Sequence, residues 1–532
     1  MPEVDTLHGV EYHVQRLSSA WSKRHGSPMT VRPIIFPRSF AVGTDTRKYT
    51  TCTLECQTPF INPERVVIEP GREHVHSFDR RRVENTLLDR FLGLLDGGEL
   101  LVRARGKEIL LVAGWFGFRI NFGLEGIAVI IGTADFWELI SRDTPGQSED
   151  GEKSELMRSF LVPVQLTTPK ARNLRRDQHL TVFLAFVGES DTILITDHSR
   201  LLRFHIMVLP RAFTEDDLNP TSKIWPRLWS SNHGPDWIFE RERAQSQLKH
   251  WRDARLGSSA HSRNCFDNFF LRGGNSPEVL ARMKAVATHM DSSPRWSQTV
   301  LSVLTSNQEV FNGYGEHTDN DLLHHLRLWP GMPILELCRS NVLFQRFEEA
   351  LHVYATQFIS QEYRSRCLST PNADAAFAFN YKSDTNYVNQ YVTVYRKCSV
   401  RLKRDQYNAF AKEGLFDSAH TLGRPYSWCD EDLITVEHKD VPVYMFKNAA
   451  VEPCYTVIRA KPPMHWYALQ GPFLVEKNLL HAGMSTTIGP ASFFLYKQNQ
   501  FDPKKRGTPG LSHWKAWQAS VRTSYRRFED QG

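Results

Sequence analysis

The sequence predicts an α+β protein of two tandem modules, each with helices packed on an antiparallel sheet. Three observations carry this. Short apolar runs separated by Gly-bearing turns fill residues 99–131 and 181–209. Helical periodicity precedes such runs instead of alternating with each of them, as a βαβ architecture would require. And a strand-turn-strand pattern occurs twice, at Asp191–Leu209 and Asp440–Ile458: an Asp opens a short apolar run, turn-prone residues interrupt it, and a second apolar run follows in the same register. A chain of 532 residues exceeds one hydrophobic core, so more than one domain is expected.

Residues 1–84 read as a Pro-containing lead-in ending in the basic run Arg80-Arg81-Arg82. The first module, 85–239, opens with a helix over Val83–Leu95, since Leu87, Leu88, Phe91, Leu94 and Leu95 recur at helical spacing and Gly97-Gly98 closes it. Strands follow at Glu99–Arg105, Ile109–Phe116 and Ile127–Ile131. Ser141–Glu155 is acidic, rich in Pro and Gly, and reads as an exposed loop. Strands resume at Thr181–Val187, Ile193–Ile195 and Leu201–Leu209, and Phe213-Thr-Glu-Asp-Asp-Leu218 carries a helix-start signal. Residues 240–290 are a charged helix, Glu240–Arg255, and a linker. The second module, 291–500, places helices at Leu323–Leu328 and Val342–Phe358, strands near Ala375–Tyr381 and Tyr387–Tyr395, and then the repeated segment. Residues 501–532 form a basic amphipathic tail helix.

Composition narrows the function classes. With 41% hydrophobic and 23% charged residues the chain is globular. Its longest apolar stretch, Ile109–Phe118, falls short of the roughly 20 residues that cross a bilayer, so no membrane partner is expected. No signal-peptide pattern opens the sequence. Eight scattered cysteines, with only Cys52 and Cys56 close together, read as free thiols of a reducing compartment. A net charge of +6 is too small to coat the whole surface with polyanion, so any such site must come from local clusters.

No P-loop, dinucleotide fingerprint or nucleophile elbow is present, and the expectation is a non-enzyme with no catalytic residues, resident metal or cofactor. One alternative stays open. His317-Thr318-Asp319 is an H-x-D of the kind that begins a non-haem iron triad, with His324 and His325 nearby and His420 and Arg424 as distal candidates. The same residues also read as a helix start capped by Thr318 or Asp319. Glu73, His74 and His76 read as surface loop residues.

Basic clusters remain. Arg396, Lys397, Arg401, Lys403 and Arg404 crowd one segment, where alternation sends Val400 and Leu402 inward and Arg401 and Lys403 outward. A cationic strand face neutralises phosphates without reading bases, which is what shape-selective recognition of duplex RNA requires; a solubilising face is the plainer reading. A second cluster comprises Lys504, Lys505 and Arg506 with Arg522, Arg526 and Arg527 of the tail helix. Trp514, Trp517, Tyr525 and Phe528 fall on one face of that helix and suit core or partner packing.

Gln178–Leu209, with its order of apolar strand, Gly turn, strand, Asp turn, strand and helix start, resembles the signature segment of the betaherpesvirus (cytomegalovirus) US-twenty-two family. Gly114-Trp-Phe-Gly-Phe-Arg-Ile-Asn-Phe-Gly-Leu-Glu-Gly-Ile-Ala-Val-Ile-Ile-Gly132 is similar to that family's earlier glycine-spaced motif. The resemblance covers about residues 85–480. It implies SUKH-like α+β interaction modules and a non-enzymatic viral antagonist of host innate defence. In one branch, members bind double-stranded RNA and prevent activation of the host RNA-dependent protein kinase, acting with a related viral family member or a second copy of themselves. Others block procaspase-8 activation or serve as virion tegument. The basic clusters favour the RNA-binding branch, acting in the host cytoplasm, with nucleus and virion as further locations. The second copy departs from the pattern: Lys447 stands in the turn where the first has Asp197, and Pro442 and Pro453 interrupt its strands.

Overall fold

The computed structural model describes residues 3–38, 52–55, 75–122, 126–167, 177–258, 298–328, 334–368, 400–403, 434–437, 442–445 and 454–457, with scattered residues between 383 and 412. The fold is α+β. Two compact units interleave along the chain: residues 1–254, 304–318 and 348–391 form one, and residues 255–303, 319–347 and 392–532 the other.

The first unit is built on a nine-stranded sheet. Its chain order runs α1 (Val4–His25), β1 (Thr30–Ile35), β2 (Cys52–Glu55), α2 (Ser77–Val83), β3 (Gly98–Arg105), β4 (Glu108–Ala113), β5 (Phe116–Asn121) and β6 (Gly126–Gly132). Then come α3 (Thr133–Ser141), β7 (Asp143–Thr144), α4 (Gly151–Leu156), β8 (Ser159–Leu161), β9 (His179–Leu180), β10 (Val182–Val187), β11 (Asp191–Asp197), β12 (Arg203–Val208), α5 (Trp225–Leu228) and α6 (Arg241–Ser258). The order across the sheet is β2-β12-β5-β4-β3-β1-β10-β11-β6. The stretch expected to be a lead-in therefore supplies the strand at the sheet's middle. Thr30 and Val31 of β1 pair with β3, and Arg32 to Ile35 pair with β10, so one strand joins two half-sheets.

The sheet must curl. β5 and β6 lie six places apart in the order, about 29 Å if the sheet were flat. Yet Asn121 and Gly126 are joined by a stretch that spans at most about 18 Å. The same argument applies between β11 and β12. Curling brings Phe118 of β5 edge-on to Phe186 of β10, ring centroids 5.3 Å apart. The enclosed core holds Phe116, Phe118, Ile120, Phe186, Ile193, Ile195, Phe204 and Ile206, and Leu7, Val10 and Val14 of α1 pack into it. The outer faces are covered too. Phe136, Leu139 and Ile140 of α3 lie on Val182, Ala185 and Leu194, while Phe213, Trp225 and Trp229 lie on Leu101, Leu110 and Met207. Every residue of β4 and β10 is buried, which is why these strands read as unbroken apolar runs.

Several sequence expectations change. The repeated segment at Asp191–Leu209 is not a hairpin: β11 pairs with β10 and β6, and β12 with β5 and β2. The helix expected over Val83–Leu95 breaks. Asn85 adopts a left-handed conformation (φ 61°), Thr86 Oγ1 accepts from Leu88 N at 3.2 Å, and only a short 3-10 turn, Leu87–Phe91, follows. The loop at 141–155 contains β7 and α4, whose first turn is capped by Asp150. The glycine spacing gains a cause: Gly114 turns β4 into β5 at φ 59°, and a Cβ on Gly126 would meet the Phe122 ring at 2.5 Å.

Beyond α6 the chain continues through α7 (Val300–Ser306), α8 (Glu316–His325), α9 (Ile334–Arg339), α10 (Asn341–Thr356) and α11 (Gln361–Cys367). Asn386, Tyr387 and Gln390 are helical and Tyr391 N donates to Tyr387 O at 2.9 Å, so this part of Tyr387–Tyr395 is not the strand its apolar alternation suggests. In the second unit β13 (Val400–Lys403) pairs antiparallel with β16 (Cys454–Val457), and β14 (Ile434–Glu437) with β15 (Pro442–Met445). Residues 375–381 and the tail helix at 501–532 lie outside the described residues.

Candidate functional site

The Asp turn that carries the resemblance is held by one carboxylate. Asp197 ends β11 fully buried, and its Oδ2 accepts from Leu201 N at 2.9 Å and Leu202 N at 2.7 Å. Its Oδ1 accepts from Ser199 N at 2.9 Å and from Ser199 Oγ at 2.5 Å. An acceptor-only side chain at this position satisfies three backbone donors of the turn, of which the Leu202 N–H is buried. Arg200 follows in the left-handed region (φ 57°), which throws its guanidinium onto the carbonyls of Leu156, Met157 and Arg158, at 3.0, 2.6 and 2.7 Å. Burial lowers Arg200 to about 10, with the positive charge of Arg38 adding to the effect.

Arg38 centres a buried ion network near the same turn. Its Nη2 lies 3.1 Å from Asp79 Oδ2 and 2.6 Å from Asp143 Oδ2, and its guanidinium stacks 4.2 Å from the Phe160 ring centroid. Arg158 shares Asp143 at 3.3 Å and pairs with Glu155 at 2.8 Å. Burial works against the charge on Arg38, but Asp79 and Asp143 outweigh it and raise its affinity for the proton. Asp79 is itself pushed up by burial, partly offset by Arg38. Oδ1 of Asp79 has no hydrogen-bond partner. The network clamps the chain after β1 to α2 and β7. Sequence reasoning missed it because its members stand 41 and 105 positions apart.

The H-x-D candidate resolves into capping. Glu3 Oε2 accepts from Thr318 N at 2.8 Å and Thr318 Oγ1 at 2.7 Å, and Glu3 Oε1 accepts from His317 N at 3.2 Å, so a carboxylate sits at the start of α8. Burial raises Glu3, and neighbouring Asp5 adds to the shift. Tyr387 Oη donates to Asp5 Oδ2 at 2.5 Å and lies 3.2 Å from His317 Nδ1. Burial and Asp5 hold the Tyr387 phenol well above its ordinary value, so it stays a donor. Among the described residues no group of three or more His, Cys, Asp or Glu could hold a metal ion. His420 and Arg424 lie outside the described residues, as do Glu73 and His74; His76 caps α2, its Nδ1 accepting from Phe78 N at 3.1 Å.

Of the basic residues, Arg401 and Lys403 lie on β13. The register sets Arg401 opposite Thr456 and Lys403 opposite Cys454, so neither cross-strand neighbour is acidic. Arg396, Lys397, Arg404, Lys504, Lys505, Arg506, Arg522, Arg526 and Arg527 lie outside the described residues, as do Trp514, Trp517, Tyr525 and Phe528. Among the described residues no helix is long and apolar enough to cross a membrane.

No known family model and no curated protein matches the sequence. Among solved structures, the chain is similar to Lactococcus lactis Fpg (MutM) in complex with DNA containing an oxidized pyrimidine: 9% identity, 83% of this chain and 97% of that chain covered, TM-score 0.32. A structure of MutM with DNA containing carbocyclic 8-oxo-G gives 10% identity over 83% and 97%, at a TM-score of 0.31. An inhibited form of the Lactococcus enzyme with a DNA containing N7-benzyl-Fapy-dG gives 10% identity, the same coverage and 0.33. Scores of this size carry no argument about this chain.

Proposed function

We propose that this chain is a non-enzymatic antagonist of host innate defence that binds double-stranded RNA, or the RNA-dependent protein kinase, and prevents translational shutoff as part of an oligomer. The tandem-module reading and the viral assignment rest on the resemblance of Gln178–Leu209 and Gly114–Gly132 to the US-twenty-two family. What supports RNA binding is the cationic alternation of the sequence at Arg401 and Lys403, in a strand whose backbone register sets Thr456 and Cys454 opposite them. A flat row of cations neutralises phosphates and reads duplex shape without reading sequence. Charge reversal of Arg401, Lys403 and Arg404 to Glu tests the site in a salt-titrated duplex-RNA binding assay. The reading expects affinity to collapse; unchanged affinity overturns the site.

A second reading, a protein-interaction module that blocks procaspase-8 activation or joins the virion tegument, draws on a different observation. Among the described residues β6 pairs with β11 alone and ends the sheet; it carries the uncharged sequence Gly-Ile-Ala-Val-Ile-Ile-Gly and exposes Ile127. Such an edge suits strand addition by a protein partner. This reading expects no RNA retention at physiological salt.

A further inference from the structure

We propose that β6 joins two copies of this chain edge to edge, antiparallel about a two-fold axis at Val129; the proposal rests on the oligomer in the reading above and names its interface. The two ends of the nine-stranded sheet are finished differently. β2, at one end, is four residues long and closes on Glu55. β6, at the other, runs from Gly126 to Gly132 with no charge and no Pro, and it pairs with β11 at all seven positions without a shift of register. Short strands, charges, prolines and bulges are the devices that keep a sheet edge from pairing again. β6 has none of them. Among the described residues its ladder partners are all on β11, and Ile127 is 52% exposed.

The sequence of the edge fits itself. Gly-Ile-Ala-Val-Ile-Ile-Gly reads nearly the same in both directions from Val129. Antiparallel pairing of two copies centred there sets Val129 opposite Val129, Ala128 opposite Ile130, Ile127 opposite Ile131 and Gly126 opposite Gly132. Each pair is uncharged, and each residue meets one from the same face of the other sheet. Ala128 and Ile130 pack on the core that the sheet encloses, whereas Val129 and Ile131 belong to the outer cluster with α3, so the pairing continues each layer into its counterpart. A shift by two residues leaves one end of each strand beyond the other, and only the centred register uses the whole of β6.

The plainer account is an edge that faces water. Val129, Ile130 and Ile131 are consecutive β-branched residues beside the half-exposed Ile127, and an open edge of that kind pairs without limit. A two-fold pair uses the same patch on both copies and closes after one addition.

The test is sedimentation of the full chain without RNA, joined to cysteine cross-linking. A ladder of this length is small for a protein interface, so the dimer depends on concentration. Val129→Cys lies on the axis, its Cα about 5 Å from that of its mate, within the span of a disulfide. Ile127→Cys, on the same strand face and more exposed, stands about 13 Å from its mate. Mild oxidation therefore yields a covalent dimer above the wild-type background for Val129→Cys and not for Ile127→Cys. Ile127→Lys lowers the sedimenting mass toward one copy and leaves the thermal midpoint unchanged. Equal cross-linking of the two cysteine variants, none for Val129→Cys, or an unchanged mass for Ile127→Lys overturns the β6 interface; a wild type that still sediments as an oligomer leaves the reading above standing. A wild type that sediments as one copy at every concentration overturns the interface and self-association together, leaving a related partner for the oligomer.

Discussion

The two copies of the strand-turn-strand pattern share a sequence outline and little else. In the first, β11 and β12 are built into a nine-stranded sheet six places apart, and the Asp197 carboxylate ties the crossing between them. In the second, β15 and β16 belong to separate two-stranded ladders, and Pro442, which has no N–H, opens β15 opposite Glu437. In the second copy, counted from Asp440, Phe446 stands where Asp197 accepts, and Lys447, a donor, follows it. An apolar-turn-apolar pattern thus specifies two strands without specifying that they pair. What decides is the turn: a buried acceptor lets the chain cross from one half-sheet to the other.

The sharpest way to break this comparison is Asp197→Ala. It strands three backbone donors and is expected to cost about 4 kcal/mol in urea unfolding, against less than about 0.5 kcal/mol for Lys447→Ala. Equal costs would erase the distinction between the copies. Next in size is Arg38→Met, which leaves Asp79 uncompensated and Asp143 with Arg158 alone beside the first turn, and should cost about 3 kcal/mol. Adding Asp79→Leu should recover part of that loss, because the second buried charge leaves with the first; no recovery would mean that Arg38 acts through packing on Phe160.

Hydrogen exchange sharpens the comparison without mutation. Amides of β11 should exchange only through global unfolding, those of β15 and β16 through smaller openings, since a two-stranded ladder is marginal alone. The smallest effect is pH-dependent. Glu3 is raised in the folded state, so its contribution to stability is complete below the ordinary carboxylate range and is lost as pH rises through the raised value. The stability of wild type relative to Glu3→Gln should therefore fall as pH rises through and above the ordinary carboxylate range. A difference that grows over that range contradicts the burial account.

Much of the first unit was legible in the sequence. β3, β4, β6 and β10 follow apolar runs bounded by Gly turns, and α6 follows its charge pattern. Illegible parts have physical causes. Leu87, Leu88, Phe91, Leu94 and Leu95 repeat at helical spacing, but Asn85 in a left-handed conformation and the Ile34 to Leu94 bridge redirect Leu88, Phe91, Leu94 and Leu95 into the core without a long helix. β1 hid in the lead-in because Pro33 argues against a strand; it is tolerated where β1 changes partners from β3 to β10, its carbonyl accepting from Leu95 N at 2.8 Å. Strand order was unreadable, since nothing in a strand's own residues names a neighbour ninety positions away. For the candidate site, the strand at 400–403 was legible, whereas the Arg38 network was not, because its members stand 41 and 105 positions apart.

The measurement that tests the central claim most directly is the affinity of the full chain for two duplex RNAs of unrelated sequence, followed across salt together with the mass of the complex. The account predicts equal affinities for the two duplexes, a steep linear fall of log K with log salt, and a complex containing more than one copy of the chain or a related partner. Absence of binding at physiological salt, or discrimination between the two sequences, would contradict it.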